Sequence, residues 1–411
     1  MTTTISTRCC VVGGGPAGMM AGYLLARAGI DVVVLEKHGD FLRDFRGDTI
    51  HPSTLDVMGE LGLLEGLLRR PHSEVAHIDG IVGDERVHIA DFSHLPTRCK
   101  FIAFMPQWDF LDYLANAARD LPTFHLMMNA EATDLIESDG VVRGIRGEAA
   151  DGQFEIAADL VIAADGRRSC IREAAGLAVE SLGAPMDVFW MRLSKQPQDQ
   201  AATFGRISAG AMFIMLDRGD YWQCALLIRK GSADAIKAHG LDAFRQLLAR
   251  ASDMPAARFA EIDDLDKVKL LAVALDRLKD WAKPGLLCIG DAAHAMSPVG
   301  GVGINLAIQD AVAAANILAD PLRRGPVDLQ TLKRVQARRS FALRATQAAQ
   351  KMIQERVIGP ALDSKSTPKL PLPLRLFNRF PILRRIPARL IGVGIKPEHI
   401  HPALLRDAPR S

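Results

Sequence analysis

The segment Gly13-Gly14-Gly15-Pro16-Ala17-Gly18 constrains this chain more than any other. It follows a β-branched and cysteine run, Arg8 to Val12, and opens an Ala-, Met- and Leu-rich stretch, Pro16 to Ala28, that stops at Gly29. Asp31 to Leu35 then reads as a continuous Val/Leu strand. Strand, glycine turn, helix and strand in this order make the first half of a dinucleotide-binding Rossmann-type unit. Gly13 permits the tight turn, Gly15 lets backbone approach a pyrophosphate, and Gly18, after Ala17, allows close helix–strand packing. The helix N-terminus adds free N–H groups and the positive end of a dipole. Glu36 closes the second strand 18 positions after Gly18. A carboxylate there can accept hydrogen bonds from both ribose hydroxyls and would repel a 2′-phosphate, which suits FAD or NAD rather than NADP.

Further along, Ser53 to Arg69 carries apolar residues at helical spacing, as does Asp109 to Ala118. Asp-Gly pairs at 139–140 and 151–152 predict a β-meander over Phe124 to Ala164. Strands are expected between about Ala184 and Lys230 and from Val268 to Leu275, with a helix at Ala243 to Ala251. A strand at Leu286 to Ile289 precedes a long Ala-rich helix starting near Gly303.

Two more segments carry chemistry. The strand beginning at Asp159 ends in Asp165-Gly166, followed by Arg167, Arg168, Ser169 and Arg172. Asp-Gly is by itself a good turn, and the guanidinium cluster adds suitability for phosphates. The other runs Gly290-Asp291-Ala-Ala-His294 to Pro298-Val-Gly300-Gly301-Val-Gly303-Ile304-Asn305 and enters a helix. An acid at a strand end can hold a ribityl or ribose hydroxyl. A glycine loop feeding a helix N-terminus can set N–H groups and a dipole against a flavin, stabilising negative charge on its reduced form; Asn305 also reads as a helix cap.

The glycine fingerprint, the DG motif and the GD motif, in that order over roughly residues 8 to 350, resemble the single-component (group A) flavoprotein aromatic hydroxylases, the para-hydroxybenzoate hydroxylase-like family. The resemblance implies an α/β fold: a discontinuous FAD domain (1–74, 100–178 and 280–350), an inserted α+β substrate domain built on a β-sheet (75–99 and 179–279), and C-terminal helices with a basic extension (351–411). It implies that Glu36, with Lys37 beside it, binds the adenosine ribose, that Asp291 lies on the ribityl or pyrophosphate side, and that Arg46 reaches the pyrophosphate. Gln107 matches a flavin-contacting glutamine, and Asp165, with Arg167 nearby, the segment touching both FAD and incoming NAD(P)H. Pro298, Gly301, Gly303, Ile304 and Asn305 match the loop beside the isoalloxazine. The implied reaction is hydroxylation by NAD(P)H and O2 through a flavin C4a-hydroperoxide, which requires no catalytic side chain. The loop reads Gly301-Val302-Gly303 where the family often has Gly-Gln-Gly, no second fingerprint exists for a nicotinamide domain, and the W-x-W-x-I-P segment of flavin halogenases is absent. The alternatives are a flavin-dependent reductase or dehydrogenase of the same superfamily without oxygen insertion, and a flavin-binding redox sensor.

Phe189, Trp190, Met191, Met212, Phe213, Met215 and Trp222 alternate in the expected substrate sheet, so one set faces a core and the other a cavity. Together they favour an apolar aromatic, polycyclic or quinone-like substrate. Arg192 and Arg206 are expected at the surface, and His51 and His294 as hydrogen-bonded structural histidines. The six cysteines form no C-x-x-C pair, which argues against a metal site or a disulfide framework and suits a reducing cytoplasm. No signal peptide and no uninterrupted apolar run long enough for a membrane span is read from the sequence. The formal charge of +2 gives no reason to invoke nucleic acid, yet Ser364 to Lys396 holds eight basic residues and no acidic one. With five prolines interrupting it, this stretch is expected to pack over the flavin domain or mediate a homodimer; the other reading is a peripheral contact with an anionic membrane.

Overall fold

The computed structural model describes residues 3–42, 48–197, 199, 203–366 and 368–405. Strand β1 (Thr3–Val12), helix α1 (Pro16–Arg27) and strand β2 (Val32–Glu36) open it. All five residues of β2 are buried, as in a strand covered on both faces. Strand β3 (Gly152–Ala163) pairs parallel with the other edge of β1, and strand β4 (Leu286–Cys288) pairs parallel with β3. The sheet order is Ala282–Lys283, β4, β3, β1, β2, Phe124–Met128, and only the first pair is antiparallel. Strands Ala130–Ser138 and Val141–Ala149 fold onto β3 as an antiparallel meander, turned by Asp139 and Gly140 at φ 52° and 72°.

Helix α2 (Gly303–Arg324) packs along α1, and helix α3 (Leu329–Ile353) packs on α2. By length and composition Val299–Arg324 could cross a bilayer, but 72% of its most apolar window is buried inside the protein, where it serves as a core helix.

A second sheet has seven strands, in the order Lys269–Leu271, Met186–Ser194, Tyr221–Arg229, Ala211–Asp217, Phe204–Ser208, His77–Val82, Glu85–Asp91. The hairpin His77–Asp91 joins it through a parallel pairing with Phe204–Ser208, so two distant stretches of chain build one sheet. Pleating then sorts the aromatic run. Phe189, Met191, Phe213, Met215 and Trp222 pack with Phe244, Leu248 and Phe259 in one core. Trp190, Met212 and Ile214 face the other way, onto a second cluster that holds Ile358 and Leu362 and includes Val299 of the glycine loop.

Three elements differ from expectation. The Ser53–Arg69 helix is two helices, Pro52–Glu60 and Leu64–Leu68, because Gly62 adopts φ +74° between them. The strand expected over Val268–Leu275 shortens to Lys269–Leu271; beyond it the Val273 N–H donates to the Asp187 carboxylate instead of a neighbouring strand. Helix α3 runs past residue 350, so the C-terminal segment starts as its continuation. That segment contains helices α4 (Leu372–Arg379) and α5 (Arg385–Gly392), kept short by its prolines, and both lie against the edge strand Glu85–Asp91.

Candidate active site

β1, β3 and β4 are parallel neighbours, and each of the three motifs is the turn that follows one of them. They therefore gather at the carboxyl ends of the strands, where open α/β sheets bind ligands. Contact is close. A Cβ on Gly13, at φ +108°, would lie 2.4 Å from the Ala164 carbonyl oxygen and 2.9 Å from the Asp165 Cα. A Cβ on Gly290 would lie 2.9 Å from that of Ala17, so the GD turn rests on the first turn of α1.

At the start of α1 no side chain caps the helix, and a Cβ on Gly15 would meet nothing within 4 Å. The helix thus presents its N–H groups to open space. Glu36, buried at the end of β2, accepts the Gly14 N–H at 3.2 Å and the His38 N–H at 3.1 Å, which fixes its carboxylate beside the turn. Lys37 stands apart, paired with Glu131 at 3.4 Å on the exposed surface. Arg46 lies outside the described residues.

The DG turn is clamped to the GD turn by two arginines. Arg167 pairs with Asp291 at 3.3 Å, and Arg172 donates to the Ala292 carbonyl at 3.2 Å. The Asp165 Oδ2 accepts the Ile171 N–H at 3.3 Å, while its buried Oδ1 has no partner among the described residues.

The glycine loop enters α2 without a side-chain cap, and a Cβ on Gly303 would again meet nothing within 4 Å. Pro298 is half-buried and Ile304 belongs to the core. Gly301 sits at φ +63° against Thr49, whose hydroxyl donates to the Gly301 carbonyl at 2.9 Å. The Asn305 side chain is fully engaged. Its Oδ1 accepts the His51 N–H (2.9 Å) and the Thr54 hydroxyl (2.7 Å), and its Nδ2 donates to the Thr49 and Gly301 carbonyls. Asn305 thus ties the loop to residues 49–54. Gln107 opens the Gln107–Arg119 helix, and its backbone N–H lies on Asp48, next to Thr49. Asp48 also pairs with Arg218 of the second sheet at 2.7 Å, joining the two units.

Both histidines are buried and hydrogen-bonded through one ring nitrogen. His51 Nδ1 donates to the Ile391 carbonyl at 2.7 Å, and burial pushes its pKa down to about 4. His294 Nε2 lies 2.6 Å from Asp310. Arg192 is exposed over the Tyr221 ring, whereas Arg206, expected at the surface, is largely buried against Gly83 and Asp253. Sequence reasoning missed Asp310, Arg339 and Glu398. Asp310 accepts from the Gly290 N–H (3.1 Å), His294 and the Arg339 Nε (2.9 Å), and Arg339 reaches Glu398 at 3.4 Å.

Two uncapped helix N-termini facing open space, a buried carboxylate at the end of β2 and an unpartnered Asp165 oxygen fit a dinucleotide: pyrophosphate before α1, ring system before α2. Residues 6–349 match the FAD binding domain family. The chain belongs to the single-component FAD-dependent aromatic hydroxylases. It is 34% identical over 339 residues to 6-methylpretetramide 4-monooxygenase of Streptomyces rimosus, covering 81% of this chain and 80% of that protein. It is 25% identical over 327 residues to para-nitrophenol 4-monooxygenase of Pseudomonas sp. (strain WBC-3), covering 77% and 78% respectively. The solved structure of Pseudomonas aeruginosa PqsL, a probable FAD-dependent monooxygenase, shares the fold with a TM-score of 0.72 at 21% identity, covering 87% of this chain and 97% of that one. This hydroxylase is thus an FAD-binding oxidoreductase.

Proposed function

We propose that the enzyme hydroxylates an apolar aromatic or polycyclic, quinone-like substrate, consuming O2 and NAD(P)H. Substrate-H, O2, NAD(P)H and a proton become substrate-OH, water and NAD(P)+. The observation that carries the substrate class is the sheet face opposite the glycine loop. Trp190, Met212 and Ile214 are only partly buried there and pack toward Val299. Trp190 Nε1 is buried without a partner among the described residues, a donor suited to a phenolic or carbonyl oxygen. Bound FAD supplies the redox chemistry and the activation of dioxygen. The chain's own residues orient and shield. Glu36 and the α1 N-terminus would hold the adenosine and pyrophosphate end, Asp291 and Asp165 the ribityl side, and the α2 N-terminus would stabilise negative charge on the ring. For the phosphates of the reductant we assign the open crevice of about 470 Å³ lined by Arg167, Arg168, Ser169 and Arg172.

The reaction belongs in a reducing compartment, which we take to be the cytoplasm: all six cysteines are free, and burial pushes Cys10 and Cys288 up to about 12, leaving inert thiols. The test is oxidation of NADH and NADPH with simultaneous O2 uptake on the purified flavoprotein, across phenols, quinone precursors and polyketides. Substrate-stimulated uptake with a product carrying one added oxygen supports the reading. Flavin reduction with no oxygen in the product refutes it in favour of a reductase.

A further inference from the structure

The C-terminal segment has two apolar sides, and the fold uses one of them. Inward, Leu370 and Leu374 pack on Val82 and Val87, and Ala388, Ile391 and Val393 pack on Phe92, Leu95 and Phe104. The Asn378 side chain bonds the His88 N–H (3.1 Å) and the Arg86 carbonyl (2.8 Å), closing the free edge of strand Glu85–Asp91. Outward, Leu372, Leu376, Phe380, Ile382, Ile386 and Leu390 are between 41% and 71% exposed. Six of the twelve exposed large hydrophobic residues among the described residues thus fall between 372 and 390.

Basic side chains interleave with them at helical spacing. Leu372 and Leu376 share a face of α4 with Arg375 and Arg379; Ile386 and Leu390 share a face of α5 with Arg385 and Arg389. These four arginines are exposed, and none has an ion-pair partner among the described residues. Lys365, Lys369 and Lys396 extend the same charge.

We infer that this face docks on an anionic lipid bilayer, with both short helices lying flat, their leucines and isoleucines in the acyl boundary and their arginines on lipid phosphates. The charge decides between occupants. A two-fold contact with a second copy would set the same patch against itself and bring unpaired arginines together. An anionic membrane accepts both halves of the pattern. The prolines that rule out one long amphipathic helix leave two helices held in place by their inward sides, so little ordering is required on docking. The inference is independent of the oxygenase reading, because it is read out without turnover.

The experiment is co-sedimentation of the FAD-loaded full chain with vesicles of phosphatidylcholine alone and with phosphatidylglycerol added. Binding is expected only to the anionic vesicles and is expected to be released by salt. Ile382→Asp with Ile386→Asp, and separately Arg375→Glu with Arg389→Glu, should leave flavin content and circular dichroism unchanged, since all four side chains face solvent. At about fivefold per lost basic residue, the arginine pair should lower partitioning more than tenfold. Absence of vesicle binding, equal binding to neutral vesicles, or wild-type binding by both variants overturns the inference. So does a solution dimer that the isoleucine pair dissociates without any lipid binding; that result would make the face an interface between copies.

Discussion

Replacing Arg339 by Met tests whether the C-terminal segment stabilises the turn that presents Asp291. The Arg339 side chain is 2% exposed and lies between two carboxylates that are 1% and 3% exposed, Asp310 at 2.9 Å and Glu398 at 3.4 Å. Met keeps the stem and removes the charge, leaving two buried anions short of one cation. Breaking such a buried network costs about 3–5 kcal/mol. The low end applies, because Asp310 keeps His294 and the Gly290 N–H, and Glu398 keeps Arg338 at 2.9 Å. Unfolding entropy of roughly 2.1 cal/mol/K per residue gives about 0.9 kcal/mol/K for a chain of this length, so a loss of about 3 kcal/mol should lower the midpoint by about 3–4 °C. Calorimetry at saturating FAD is the assay, since bound ligand shifts the midpoint on its own. Paired with Glu398→Gln in a double-mutant cycle, the two changes should couple, because the glutamine relieves the stranded charge. A fall of less than about 1 °C, or additivity of the two substitutions, would refute the argument.

The remaining predictions rest on other parts of the site. In Gly18→Ala the new Cβ would lie 1.9 Å from the Gly13 carbonyl oxygen, a backbone atom that cannot swing away. The variant should lose about 1–3 kcal/mol or more and purify with less flavin, read from absorbance. Asp291→Ala removes the Arg167 partner and should weaken FAD retention; a variant that purifies with full flavin would count against the assigned role. Asp310 feels burial pushing its pKa up, but His294 and Arg339 outweigh it and hold the carboxyl below its ordinary value. Its stabilisation is therefore present above about pH 4 and lost as pH falls through the lowered folded-state pKa, so Asp310→Asn should flatten the acid limb of the stability curve. Trp190→Phe keeps the aromatic bulk and deletes the unpartnered N–H. For a substrate with a ring oxygen KM should rise by about tenfold at similar kcat, and no change would remove Trp190 from the pocket.

Legibility from the sequence tracked the range of the forces involved. The fingerprint, the DG and GD turns and the alternation in the second sheet are set by neighbours along the chain, so glycine conformation and side-chain period reveal them. Period alone could not say which side of the sheet faces the loop. That is settled by the helix Leu241–Ser252, which claims Phe189, Met191 and Phe213 and leaves Trp190 and Met212 to the cluster that holds Ile358, Leu362 and Val299. Gly62 in an otherwise helical stretch was visible, but not its positive φ. For Asn305 both readings drawn from the sequence were local, a helix cap or a flavin neighbour. Three of its four bonds go to residues 49–54, which only the fold brings near, and the fourth stays within the loop at Gly301.

The charged network had one trace in the sequence, and it could have been followed. Ile304 to Ala319 is almost wholly apolar apart from Asn305, Gln309, Asp310 and Asn316, and Asp310 falls within the stripe that must face the sheet. A carboxylate forced into a core brings a cation with it or does not ionise. The cation has to come from an element packed on that helix, and the next helix offers Arg338 and Arg339 together. Arg339 falls on the buried face of that helix with Leu332, Val335, Ala342 and Leu343, and Arg338, one position away, is exposed. Arg339 in turn leaves room for a second anion, which Glu398 supplies from 59 residues further on, with its own backbone N–H bonded to the Gln309 side chain. Through Arg339, the Glu398 carboxylate of the C-terminal segment is linked to Asp310, which accepts the Gly290 N–H of the GD turn. Arg339→Met and Asp291→Ala should therefore both lower flavin retention, although only the second residue is assigned to the cofactor.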